Sequence, residues 1–304
     1  MALNGEFTPP GDKSISHRLV LMSLLAEGEM AVSGLSDCDD VKVSLSLFRA
    51  LGGRAQGGGS RWTLGGLGGL LSVPQWEAVE LDCGNSGTTM RLLSGVLAGI
   101  PGKYILDGDQ QLRRRPMERL ADPLRQMGAR LDTNNGRAPL TIEGGPLHGL
   151  EYVNSDASAQ LKGALLLAAL QASGPSKIIE PRPTRDHTER LINLFGGQVC
   201  TNNAPQNTAL EIQPGRLTLA PELAVPGDPS SAAFFLIGAA MMPGSWVTAA
   251  NMLLSSARIG FLKVLDRMGA NISISLTGEL PEPNGRVTVE YNGPLMATEL
   301  GAED

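Results

Sequence analysis

Polar stretches that hold a serine alternate along this chain with runs of small apolar residues, and the alternation recurs at a fixed interval. Gly11–Ser14 leads into an apolar run that reaches Gly28, and Gly84–Ser86 into one that reaches Gly99. Asp156–Ser158 leads to Gly174 in the same way, and Gly227–Ser230 to Gly244. The serines stand at 14, 86, 158 and 230, so the period is 72 residues. A period of this kind marks a chain assembled from repeated supersecondary units. A second series keeps the same phase. Helical patterns close at Gly52, Gly128, Gly196 and Gly269, at intervals of 76, 68 and 73 residues, and each glycine reads as a helix C-cap. A short alternating strand follows each, as in Ala270–Ser275.

Each unit therefore reads helix, strand, helix, strand, with a further strand or two in the glycine-rich connections, which is an α/β class. The first helix of each unit is apolar on nearly every side, as in Leu165–Leu170 and Phe234–Ala240, and is expected to be buried. Three such helices, each backed by a small sheet, would pack about a common axis as one domain. The glycine clusters Gly57–Gly59 and Gly65–Gly69 read as loop.

Composition narrows the function. With 304 residues, 42% hydrophobic and 18% charged, the chain can bury a core, which excludes disorder and coiled coil. Glycine and proline interrupt every apolar run short of a membrane span, and the N-terminus lacks the pattern of a signal peptide. Cys38, Cys83 and Cys200 have neither metal-site spacing nor an even count, so a reducing cytoplasm fits. A net charge of −6 argues against nucleic acid as a partner but leaves small anions open.

Candidate chemistry sits at the helix starts. A helix N-terminus offers unbonded N–H groups and partial positive charge, and a serine there commonly serves as a cap and nothing more. In Gly11–Arg18, however, Lys13 opens the helix, and Ser14 and Arg18 share a face at i,i+4. A guanidinium beside a hydroxyl suits phosphate or carboxylate. Arg113, Arg114 and Arg115 form a basic loop before Pro116, with Arg115 the one expected to point inward, and Arg182 and Arg185 lie beside Asp186 and His187. Cations thus gather at the unit junctions of an acidic protein, as small polyanionic ligands would require. The P-loop, serine-hydrolase elbow, dinucleotide fingerprint and zinc patterns are all missing, and neither a cofactor nor a metal is expected.

At these residues the sequence resembles the 5-enolpyruvylshikimate-3-phosphate (EPSP) synthase family. Pro10–Arg18 is similar to its first signature and Gly84–Arg91 to its second; Ala157–Gly163, Thr184–Glu189 and Val225–Ala233 match further blocks in the family's order. The Ser158-Ala159-Gln160 and Arg185–Glu189 forms are those of its second sequence class. The resemblance implies an inside-out α/β barrel, three repeats to a domain, with parallel helices buried and sheets outside. Residues 14–224 would be a complete domain that binds shikimate 3-phosphate, and 1–13 with 225–304 part of a second. It implies transfer of the enolpyruvyl group of phosphoenolpyruvate to the 5-hydroxyl of shikimate 3-phosphate, with no cofactor and no membrane or nucleic-acid partner. Lys13 would contact phosphoenolpyruvate and assist proton transfer, and Ser14 and Arg18 would hold shikimate 3-phosphate. Asn85, Gly87 and Arg115 would line the phosphoenolpyruvate site, while Ser158, Ala159, Gln160 and Arg185 would bind the shikimate phosphate and ring. Because the family's later motifs lie beyond residue 304, the expectation is a C-terminally shortened synthase of low activity by itself, or one completed by a partner chain. The alternatives are a phosphate-sugar-binding module without catalysis and the related UDP-N-acetylglucosamine enolpyruvyl transferase. The latter carries Lys-Asn where this chain has Lys13-Ser14, and a cysteine in the loop that here spans Asp107–Arg115.

Overall fold

A computed structural model describes residues 2–72, 77–204 and 206–301. The chain forms two compact units, a larger one of residues 14–32 and 37–223 and a smaller one of residues 1–13, 33–36 and 224–304. Ser33–Ser36 group with the smaller unit, where the Val225 N–H donates to the Ser33 carbonyl at 2.8 Å.

After β1 (Asn4–Phe7), the first repeat comprises α1 (Lys13–Met22), β2 (Ala26–Glu27), β3 (Glu29–Ser33), α2 (Asp39–Ala50), β4 (Arg54–Gly58) and β5 (Arg61–Gly65). The second adds β6 (Ala78–Asp82), α3 (Gly87–Ala98), β7 (Gly102–Asp107), the short α4 (Gln110–Arg113), α5 (Glu118–Gln126), β8 (Arg130–Asn134) and β9 (Arg137–Gly144). The third holds β10 (Glu151–Val153), α6 (Ala159–Ala169), β11 (Ser176–Glu180), α7 (His187–Leu194), β12 (Gln198–Ala204) and β13 (Asn207–Gln213). After β14 (Leu217–Thr218) and β15 (Glu222–Ala224) come α8 (Pro229–Met241), β16 (Trp246–Leu253), α9 (Gly260–Arg267), β17 (Asn271–Gly278) and β18 (Asn284–Glu290). No helix among the described residues is long and apolar enough to cross a membrane.

One four-stranded order recurs: β15-β3-β5-β4, β6-β7-β9-β8 and β10-β11-β13-β12 in the larger unit, and β1-β16-β18-β17 in the smaller. In the last three of these the entering strand is parallel to the strand after the first helix, and that strand is antiparallel to the next. The first and fourth sheets take their entering strands, β15 and β1, from far along the chain. Of the glycines expected as loop, Gly57, Gly58 and Gly65 instead lie in the β4–β5 hairpin, where Arg54 pairs with Gly65 and Gly58 with Arg61, while Gly59 stands in its turn and Gly66, Gly68 and Gly69 lie outside the strands.

All four second helices stop by the same device. Gly52, Gly128, Gly196 and Gly269 take φ of +99°, +100°, +86° and +93°, the left-handed conformation that glycine adopts without a steric penalty. The next residue then donates back five positions, Gly53 to Phe48 at 2.8 Å and Ala270 to Leu265 at 3.0 Å. The starts are less uniform. Ser86 and Ser158 cap α3 and α6, accepting from the backbone of Thr89 and Leu161. Ser14 and Ser230 lie inside their helices instead. In α8 the cap is Asp228, because Pro229 fixes φ for the first helical position two residues earlier than the serine spacing implies.

In the larger unit the first helices are enclosed. Ile15–Met22 of α1, Thr89–Ala98 of α3 and Leu161–Ala169 of α6 are all buried. Burying one leucine or valine contributes roughly 1.5–3 kcal/mol, so these helices dominate the unit's stability. The second helices are amphipathic: α2 buries Val41, Ser44, Leu45 and Phe48 at the spacing of one helical face. The sheets lie outside, with Tyr104 and Leu106 of β7 and Leu140 and Ile142 of β9 turned to the core.

The repeat is visible as contact. Gln160 Nε2 donates to Thr88 Oγ1 at 2.8 Å, and Thr89 Oγ1 lies 3.5 Å from His17 Nδ1. Both pairs are 72 residues apart, so equivalent positions of successive repeats meet.

In the smaller unit α8 packs Ala232, Leu236, Ala239 and Ala240 onto Val247, Ala249, Met252, Val287 and Val289 of its sheet. The expectation that α8 is buried all round fails here. Phe234 is 81% and Met241 63% exposed, because one sheet and α9 cover one side of the helix, whereas three such helices cover one another in the larger unit.

Candidate active site

Three helix starts meet in the larger unit. His17 of α1 reaches Ser44 Oγ at 2.8 Å, Ser44 reaches Thr89 Oγ1 at 2.8 Å, and Thr89 donates to Ser86 Oγ at 2.7 Å, all four residues being fully buried. This ladder fixes α1 to α3. Gln160 fixes α3 to α6, donating to Thr88 and accepting from Arg91 Nη1 at 2.7 Å. Arg18 Nη1 donates to the Ser14 carbonyl at 2.9 Å and Nε to Thr188 Oγ1 of α7 at 2.7 Å. A Cβ on Gly163 of α6 would lie 2.9 Å from Thr188 Oγ1 and 3.5 Å from Arg18 Nη2, so the glycine lets both approach α6.

Cations gather at this meeting point. The Arg91 side chain is 6% exposed, yet among the described residues neither it nor Arg115 has a carboxylate within ion-pair range, and the Nε of Arg91 is buried without a hydrogen-bond partner. Burial, followed by the nearby Arg119 and Arg115, pushes the Arg91 guanidinium down to about 10. It remains charged at neutral pH. Arg115 Nη2 donates to Asn85 Oδ1 at 2.8 Å, while Asn85 Nδ2 donates to Gln111 Oε1 at 2.8 Å. Gly87 sits between the two arginines; a Cβ there would fall 2.7 Å from Arg115 Nη1 and 2.8 Å from Arg91 Nη1. Buried Arg91 and exposed Arg115, without a counter-ion among the described residues and at converging helix N-termini, form an arrangement that an anion completes.

The sequence model of the EPSP synthase (3-phosphoshikimate 1-carboxyvinyltransferase) family matches residues 1–293. A 3-phosphoshikimate 1-carboxyvinyltransferase of Acidithiobacillus ferrooxidans is 46% identical over 298 residues, covering 97% of this chain and 67% of that protein. One from Bacillus velezensis is 41% identical over 305 residues, covering 99% of this chain and 70% of its own. The solved EPSP synthase of Acinetobacter baumannii superposes with a TM-score of 0.85 at 39% identity, over 95% of this chain and 65% of that one. The chain belongs to the EPSP synthase family. It spans about two thirds of the length of these relatives.

Within an EPSP synthase fold, Ser14, Arg18, Asn85, Gly87, Arg115, Ser158, Ala159 and Gln160 all lie at or beside the starts of α1, α3 and α6. Lys13 is the first residue of α1 and groups with the smaller unit, where its N–H donates to Asp228 Oδ2 at 3.3 Å. Arg185 is exposed on the loop between β11 and α7. The arginine loop differs from expectation. Arg113 closes the short helix α4 and is bound through two donors to Asp107, which this pairing holds below the usual carboxylate range. Pro116 precedes the helix instead of opening it, since α5 begins at Glu118 with Met117 at its cap position.

Sequence reasoning left Arg91 and Thr188 without roles. The i,i+4 rule that coupled Ser14 to Arg18 applies equally to Gly87 and Arg91 and could have found the first. Thr188 carries no local signal, because its partner is 170 residues away.

Proposed function

We propose that this chain carries the reaction of its family, transferring the enolpyruvyl group of phosphoenolpyruvate to the 5-hydroxyl of shikimate 3-phosphate with release of phosphate. The observation that carries this reading is the convergence of the α3 and α6 starts on Arg91 and Arg115, two guanidiniums without a carboxylate partner among the described residues. In the reaction, the 5-hydroxyl loses its proton as its oxygen bonds to C2 of phosphoenolpyruvate and C3 gains a proton. The adduct then loses a proton from C3 as the bond from C2 to the phosphate oxygen breaks. Every species on this path is a polyanion. Fixed cations and backbone dipoles that need no reorganisation during reaction are accordingly the main contribution required of the protein.

In this reading Ser14 and Arg18 hold shikimate 3-phosphate, while Ser158, Ala159, Gln160 and Arg185 take its phosphate and ring. Asn85, Gly87 and Arg115 face phosphoenolpyruvate, with Lys13 moving the proton. Arg91 holds Gln160 in place through its hydrogen bond to Oε1. The three cysteines, none of them in a disulfide, fit a cytoplasmic enzyme.

Calorimetry with shikimate 3-phosphate tests the binding half of this reading. Saturable binding is expected, weakened by about thirtyfold or more in Arg18→Ala, the loss expected for a charged hydrogen-bonding group. Absence of binding at millimolar ligand to a folded chain overturns the reading. Phosphate release with both substrates present tests the transfer step.

A further inference from the structure

Inside the apolar helix α6 stands Lys162, whose side chain is 1% exposed. Its ammonium lies 2.9 Å from Glu180 Oε2 and 2.6 Å from Glu189 Oε1, two carboxylates that are themselves 1% and 5% exposed. Glu180 is a hub with both oxygens fully engaged. Oε1 accepts from Asn154 Nδ2 at 3.0 Å and Thr184 Oγ1 at 2.7 Å, while Oε2 accepts from Lys162 and from the Thr184 N–H at 3.3 Å. Asn154, fully buried, also grips the α6 cap. Its Oδ1 accepts from the Ser158 N–H at 3.2 Å, and its Nδ2 lies 3.3 Å from the Ser158 carbonyl. Ala157, just before that cap, is held at φ +48°, a conformation that alanine adopts only under constraint.

A buried ionic cluster rarely stabilises a fold more than apolar side chains of the same volume would, and its best-attested use is to select one arrangement. This cluster joins three pieces of backbone: the start of α6, the end of β11 with the loop that follows, and the first turn of α7. Those pieces carry Ser158–Gln160, Arg185 and the Thr188 that receives Arg18. A slip of the loop by one hydrogen bond would move Arg185 and Thr188 away from the α6 start.

We propose that Glu180, with Lys162 and Thr184, is a positioning hub that sets the α6 start and the Thr184–Thr188 segment in register to receive the phosphate of shikimate 3-phosphate. This rests on the functional reading above. None of the three is offered as touching substrate. The test uses Thr184→Val, which removes one bond to Glu180, and Thr184→Ser, which keeps the hydroxyl. Affinity is measured by calorimetry for shikimate 3-phosphate and for shikimate, which lacks the phosphate.

Thr184→Val is expected to weaken shikimate 3-phosphate binding by about tenfold while shifting shikimate binding by less than about twofold, and Thr184→Ser is expected to restore both. A lower melting temperature with an unchanged ratio of the two affinities overturns the proposal and leaves the hub a structural tie. Should the parent chain bind neither compound, the functional reading fails, and amide hydrogen exchange decides the hub. Thr184→Val should then speed exchange at residues 158–162 together with 184–189, relative to the start of α3. Unchanged exchange there overturns it.

Discussion

Gly95 sits in the middle of α3, where alanine would ordinarily add about 1 kcal/mol of stability through helix propensity. Here the expected sign is reversed. A Cβ at this position would fall 2.1 Å from the carbonyl oxygen of Ala164 in α6 and 2.7 Å from its carbonyl carbon. Those are backbone atoms, so no side-chain rotation relieves the overlap. A relaxed carbon–oxygen contact is about 3.3 Å, and α3 and α6 must therefore part by about 1 Å over that turn. Both helices are enclosed, and the Gln171 side chain donates across the junction to the Val96 carbonyl at 3.0 Å, so parting strains a packed interior. Overpacking of this kind costs about 1–3 kcal/mol, and backbone overlap belongs at the upper end. After the propensity gain, Gly95→Ala should lose roughly 1–2 kcal/mol. For a unit of about 200 residues that lowers the melting temperature by about 2–8 °C. Scanning calorimetry of the full chain measures it, with Gly174→Ala as control, since nothing lies within 4 Å of a Cβ there. A Gly95→Ala chain that melts at or above the parent temperature refutes the close-packing account.

Three other outcomes follow from buried groups. Arg258, 5% exposed, lies 2.6 Å from Asp12, which is fully buried, and 2.8 Å from Asp228; Arg258→Ala should lower stability by about 3–5 kcal/mol in urea titrations, and a loss under about 1 kcal/mol would contradict it. Burial raises the Glu189 carboxyl against the pull of Lys162, with Asp186 adding to the rise. The folded state then keeps a proton that the unfolded chain releases, so stability falls as pH climbs from the ordinary glutamate range through the folded value. Glu189→Gln should flatten that slope, and parallel slopes would count against the assignment. The Cys83 thiol is pushed up to about 12 by burial and then by Asp82 and Asp107, whereas Cys200 is exposed. A thiol reagent at pH 8 should label Cys200 in the native chain and Cys83 only after unfolding, as mass spectrometry of the labelled peptides would report.

The repeat was legible because its signals are local. A glycine just past an amphipathic pattern reads as a left-handed stop wherever it occurs, and all four were found in that conformation. The Ser86 and Ser158 caps likewise depend on residues three positions away. Where a neighbouring signal competed, spacing misled: Pro229 moved the α8 cap to Asp228, and three of the glycines taken for loop, Gly57, Gly58 and Gly65, paired in a hairpin. The apolar character of α8 was plain in its sequence, but whether each side is covered depends on what packs there, which no window of residues records.

Tertiary structure decided the remainder, for the same reason each time. β15 and β1 enter sheets formed by residues nearly 200 and more positions distant, and a three- or four-residue strand has no pattern that names its partner. The pairing of Gln160 with Thr88 and Arg91, and of Arg18 with Thr188, spans 69 to 170 residues. Lys162 in an apolar helix and Glu180 at a strand end look anomalous singly, and only their meeting makes either burial tolerable. The sequence determined the units, their helices and stops, and the family to which the motifs point. The fold determined which of the cations would be left without a carboxylate, because charge neutralisation is a property of neighbours in space and leaves no trace in the order of residues.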